Sequence, residues 1–313
     1  MILIGPRSKP TNVPAHPGFC GVSSRLACLA LHKLVGNLIL KNLSLPLLLA
    51  LAIRPLRAEQ LKPETVRAFD HYVEISEQRM SNELRSGRFL RVDDLPPHQR
   101  DPDYVRLKKG EVVMERLETF DQGRSVSVPE GLVHHWIGTV FIHGTTLERT
   151  LAFLENYDEQ YKFYAPDVQQ SRLLERDGNH FRVYLRLRKT KVVTVILNTE
   201  YDVRYVALAS DSAASYSYSR RIAEVENAGK PNESEKPVGN DSGFLWRLDS
   251  FWRFAERDGG VYVQLEAISL TRDIPAGLGW LVGPFVTSIP KESLEFTLTR
   301  TRQALAPHSG RQP

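Results

Sequence analysis

The sequence predicts an α+β chain in which a run of antiparallel strands is followed by one long C-terminal helix, with a helical extension in front. Three observations predict it. Six consecutive stretches between 168 and 273 read as strands with no helix among them, and Asp-Gly turns at 177–178 and 258–259 join neighbours as hairpins. Leu278, Leu281, Val282, Phe285, Val286 and Ile289 then recur at helical spacing, and Leu294, Leu298 and Leu305 continue that stripe. A hydrophobic fraction of 42% with 25% charged residues is that of an ordinary globular chain.

Residues 1–58 form a leader. They hold seven of the 41 Lys and Arg residues and no acid before Glu59, which leaves 34 basic against 37 acidic residues in the rest. The basic balance belongs to the leader and argues against a nucleic-acid surface on the body of the protein. Both cysteines, Cys20 and Cys28, also lie here, so the remainder can form no disulfide, thiolate metal site or cysteine nucleophile. LSLPLLLALAI (43–53) suits the core of a signal peptide and falls short of the roughly 20 residues that span a bilayer. An exported chain, periplasmic or secreted and beginning near Glu59, is expected. A mitochondrial-type presequence and an uncleaved membrane-associated tail are the alternatives.

Residues 59–130 read as an extension. Val66, Phe69, Val73, Met80 and Leu84 mark an amphipathic helix over 63–84, opened by Pro63. A polar, proline-broken connector is expected at 93–103 and a strand at 111–120. LVHHWIGTVFIHG (132–144) is the next strand, and 145–166 holds one or two short helices stopped by Pro166. After four of the six strands, AGKPNESEKPVGNDSG (228–243) reads as a mobile loop. Pro284 and Pro290 predict one kinked last helix or two nearly collinear ones, and 307–313 a disordered tail.

This order, with the DGG hairpin and EAISLTRDIP (266–275) leaving the last strand, resembles the START-like helix-grip superfamily, which includes polyketide cyclase/dehydrase and lipid-transport groups. The resemblance covers about 131–306. It implies a curved antiparallel β-sheet wrapped around the long C-terminal α-helix, with a cavity between them for an apolar or amphipathic ligand.

Strand parity nominates the lining. In 192–206 the apolar parity includes Tyr201 and Tyr205, and in GFLWRLDSFWRF (243–254) it carries Trp246 and Trp252, with Arg247, Asp249 and Arg253 opposite. In 213–226 neither parity is apolar. If Ser217, Ser219 and Arg221 face inward, two hydroxyls and a guanidinium could hold a carboxylate or phosphate; if the other parity does, Tyr216 and Tyr218 line the space. An edge strand or a surface salt bridge is the plainer account. Glu266 is either the partner of Arg221 or half of an acid–base pair, and Phe285 is the candidate from the helix. His134 and His135 are adjacent on a strand and cannot share a metal.

No metal or cofactor is expected, and no catalytic motif is recognisable. The expectation is an exported binder or carrier of a lipid or isoprenoid-like molecule, for which a transient membrane contact is compatible. Oligomeric state is left open. A cyclase, dehydratase or hydrolase in the same cavity is one alternative. An interaction module acting through 59–130 is the other.

Overall fold

The computed structural model describes residues 59–191, 193–274 and 279–307, and their side chains save those of 59 and 279–287. The leader, the Phe285 side chain and the tail from 308 lie outside them. The extension opens with a two-residue strand, β1 (Glu59–Gln60), and helix α1 (Pro63–Arg85). Pro63 starts that helix where a missing N–H costs nothing, and Phe69, Tyr72, Val73 and Met80 form its buried face. A 3-10 turn (Arg91–Asp94) leads into α2 (Pro97–Lys108), where a connector is expected from the prolines. The helix forms because Pro97 occupies its permissive first turn and Leu107 is wholly buried at its end. Strand β2 (Val113–Arg116) and the small hairpin β3 (Phe120–Asp121) and β4 (Arg124–Ser125) complete this part.

β5 (Gly131–His143) is followed by α3 (Leu147–Glu155), capped by the Thr146 hydroxyl, and by the single turn α4 (Gln160–Phe163). β6 (Val168–Asp177), β7 (His180–Thr190), β8 (Thr194–Ala209) and β9 (Ser212–Glu226) come next. The insert expected to be a mobile loop is pinned at two points. β10 (Ser234–Glu235) pairs with β9, and β11 (Asn240–Asp241) pairs with β1. β12 (Arg247–Arg257) and β13 (Gly260–Arg272) are joined through Asp258 (φ 58°) and Gly259 (φ 76°), a turn that matches strand twist. Helix α5 (Gly279–Leu305) runs past both prolines without interruption.

Nine strands form one curved sheet, in the order β2-β5-β13-β12-β9-β8-β7-β6 with β10 beside β9, and every pairing is antiparallel. Its inner face carries α5, which packs against β5 and β13. A side chain at Gly138 would put Cβ 2.5 Å from Leu294 Cδ2 and 2.8 Å from Leu298 Cδ1, so the bare glycine is what lets the helix seat on β5. Further along, Tyr164 Oη and Thr301 Oγ1 meet at 2.8 Å. The outer face of the central strands is covered as well. Phe69, Tyr72, Val73 and Met80 of α1 pack on Phe251, Ile268 and Leu270, while Leu107 of α2 with Leu90 and Val92 packs on Phe141, Ala255 and Tyr262.

Candidate functional site

Strand register sets Val203, Ser217, Ser250, Ala267 and Trp136 in one row across the inner face, on β8, β9, β12, β13 and β5. The three central residues are small. They span roughly 10 Å of sheet and cannot fill the ~10 Å between packed layers. The flanking rows are bulkier at β8 and β12, with Tyr201 and Leu248 on one side and Tyr205 and Trp252 on the other, while β9 keeps serines there, Ser219 and Ser215. A trench across three strands results. Ser217, Leu248, Ser250, Trp252, Ala267 and Trp136 stay half-buried at mid-sheet, whereas Phe254 and Val263 on the same strands are 0% exposed. Beyond Trp252, which stacks on Phe254 at 6.1 Å, the space closes. There Tyr157 and Tyr205 share a 3.0 Å hydrogen bond beside Phe181.

Several hydroxyls on this surface, those of Tyr201, Ser217, Ser250 and Ser269, lack a well-formed hydrogen bond to the protein among the described residues. Tyr201 Oη is buried without a well-formed hydrogen bond, since the neighbouring Thr199 hydroxyl donates to Leu185 O, and burial pushes the phenol up to about 12. Ser217 and Ser250, opposite each other across β9 and β12, line the trench with free hydroxyls. His134 lies in the Tyr201–Leu248 row and shares a 3.2 Å bond with Thr271 Oγ1. Burial first, and then the charge of Arg116, lower its pKa to about 4, so the ring is neutral.

Tyr201, Tyr205, Ser217 and Trp252 are thus brought together, and other sequence candidates are not. Arg220 is an extra residue in β9: Tyr201 pairs with Ser219, but Glu200 pairs with Arg221. This bulge reverses the facing of everything after it. Arg221 turns to the outer face and pairs with Glu235, while Ile222 takes the buried position. Ser219 is spent on the bulge itself, where its N–H and hydroxyl donate to Asp249 Oδ1 at 3.0 and 3.1 Å. Trp246 precedes β12, where alternation does not yet hold, and packs with α1 while donating to Asp241 Oδ1 at 3.0 Å. Ser250, Ala267 and Trp136 were not singled out from the sequence. Their signal is smallness at matched positions in neighbouring strands, legible only once register is known.

Glu266 also faces outward, beneath α1, and its partners are His135 and Arg79 rather than Arg221. Tyr72 Oη accepts from the Thr119 N–H, which leaves its proton for His135 Nδ1 at 3.1 Å. His135 Nε2–H then donates to Glu266 at 2.7 Å. Burial alone would raise the Glu266 carboxyl, but the His135 bond and the Arg79 charge outweigh it and hold it below the usual range. The acid–base pair envisaged for a catalytic cavity therefore exists on the opposite side of the sheet, 2% exposed, where it ties α1 down. Arg253 adds a second tie, donating to Glu83 at 2.9 Å, Met80 O at 3.2 Å and Phe89 O at 2.9 Å.

Among the described residues no cluster of His, Cys, Asp or Glu could hold a metal, and no helix is long and apolar enough to cross a membrane. A shallow groove on the solvent side of α5, by Phe296 and Arg300, is open surface.

The strand order, the hairpins and the seating of α5 define a START-like helix-grip fold. Solved structures similar to the chain include the human StarD13 lipid transfer and protein localization domain, at 10% identity and a TM-score of 0.37 over 68% of this chain and 98% of that one. The Zhui aromatase/cyclase of a Streptomyces species matches at 10% and 0.36, over 56% and 94%. A STAR-related lipid transfer protein from Xanthomonas axonopodis matches at 17% and 0.32, over 58% and 98%. No family model and no curated protein matches the chain.

Proposed function

We propose that this chain binds and carries a hydrophobic small molecule, lipid or isoprenoid-like, in the trench between the sheet and α5. The observation that carries this is the row Ser217–Ser250–Ala267, small and half-buried at mid-sheet, beside Leu248 and Trp252 and on the same strands as the fully buried Phe254 and Val263. Ten buried methylenes would supply about 8 kcal/mol, comparable to a micromolar complex before the costs of association. Native mass spectrometry of the protein purified from its own cells is the test. A co-purifying lipophilic mass, released by solvent extraction, is expected. An empty protein whose tryptophan emission ignores added lipid would remove the proposal.

Export belongs to the same proposal. The acid-free leader with its apolar block supports removal of residues 1–58, and a cut before Glu59 would leave β1 whole. N-terminal sequencing of the mature protein should begin near Glu59; an intact Met1 on the working protein would end this part.

A further inference from the structure

We propose that the trench selects an uncharged ligand bearing a hydroxyl or carbonyl group and discriminates against the carboxylate or phosphate of an anionic one. This rests on the hydrophobic-ligand function above and narrows it. The polar floor consists of Tyr201, Ser217 and Ser250. Ser217 stands opposite both Val203 and Ser250, and Tyr201 lies two residues before Val203 on the same face of β8, so the three residues are neighbours on one face. Each can donate or accept, and none is committed to the protein among the described residues. Tyr201 is the telling member. A phenol 6% exposed with no well-formed hydrogen bond is costly to keep, and a ligand oxygen would satisfy it.

Among the described residues no cation lines that floor directly: Arg116, paired with Trp136 at the end of the row on β2, is exposed and four strand spacings from Ser217. The guanidinium that could have served an anion, Arg221, is rotated to the outer face by the bulge and held there by Glu235. A carboxylate is already close, since Asp249 binds Ser219, the ladder partner of Tyr201. The start of α5 cannot supply a positive side chain, because 275–287 contains no Lys, Arg or His. Lys291 stands exposed over Trp136, on β5. It is two strand spacings from Ser250 and three from Ser217, roughly 10 and 14 Å, which is beyond direct ion pairing with an anion at the hydroxyls. An unpaired carboxylate there would lose its water and gain no counter-charge, whereas an alcohol loses little.

Displacement of a neutral fluorophore tests this. N-phenyl-1-naphthylamine is bound to the protein and competed at pH 8 with decan-1-ol or with decanoate. The alcohol is expected to displace the fluorophore at a concentration at least tenfold below that of the acid. In the Tyr201→Phe variant, and further in Tyr201→Phe/Ser217→Ala/Ser250→Ala, the alcohol-to-acid ratio should fall several-fold; because a ratio is read, a general loss of affinity cancels. Melting of the empty Tyr201→Phe protein should rise, since an unsatisfied hydroxyl is removed. Equal or tighter competition by decanoate, or an unchanged ratio in the triple variant, would overturn the selectivity while leaving hydrophobic binding in place. A wild-type protein that binds no fluorophore would instead take down the hydrophobic-ligand function, and this inference with it.

Discussion

Asp249 decides the orientation of half a strand. Its buried carboxylate accepts the Ser219 N–H and hydroxyl and so holds the bulge after which β9 turns its other side inward. Burial raises its pKa, so the neutral form is tolerated there. Asp249→Ala should cost about 1–3 kcal/mol by stranding the Ser219 N–H, and Asp249→Asn clearly less, as urea denaturation can show. Parity placed Tyr201 and Trp252 on the inner face because β8 and β12 run unbroken through them. It misplaced Arg221 because one extra residue leaves no mark on composition, and Trp246 because the chain before Arg247 is not yet a strand. Trp252→Ala is the sharper probe of the trench. A half-buried indole at a hollow should cost less than the ~3–5 kcal/mol of a packed core tryptophan, yet alter the fluorescence response to ligand. Loss of folding, with no ligand effect in the parent, would mark Trp252 as filler.

Among the elements, α1 joins the sheet through charge as well as apolar contact. Arg253 and Glu83 are buried together, 5% and 7% exposed, on β12 and α1. Breaking such a pair on one side is costly, while replacing both partners is often neutral. Glu83→Ala is therefore expected to lower stability by about 3–5 kcal/mol, and the double change Glu83→Leu/Arg253→Met to recover most of it. Equal losses in the single and double variants would show that the pair is not coupled. The helix itself was legible from its spacing, but its destination was not. Arg253 reads as a solvent-facing position and Glu266 as a cavity candidate, and only the folded chain shows a second layer above both, where Gln264 also accepts from the Arg91 N–H at 2.7 Å. Likewise α2 was hidden by prolines that suit a first turn as well as a loop.

At the scale of the described residues, the central strands lie between helices on both faces, and the titratable groups buried there govern the response to acid. His134 has a folded pKa of about 4 against an ordinary 6.5, so between those values the unfolded chain binds the extra proton. Its contribution is complete above pH 6.5, is lost as pH falls toward 4 and amounts to about 3 kcal/mol. The lowered Glu266 acts in the same direction at more acid pH, whereas the raised Asp249 opposes both. The His134→Gln protein should lack the wild-type slope of stability between pH 6.5 and 4; parallel curves would show that this ring does not govern it. The central ladder also orders events in time. β5 is matched residue for residue with β13, Gly131 against Arg272 and His143 against Gly260, whereas β6 through β9 pair with immediate neighbours. Those hairpins can close while synthesis continues, but the long partner of β5 is made last. Until residue 260 emerges, Val140, Phe141 and Ile142 have no β13 to join, and the nascent chain must keep an adhesive strand apart from its neighbours.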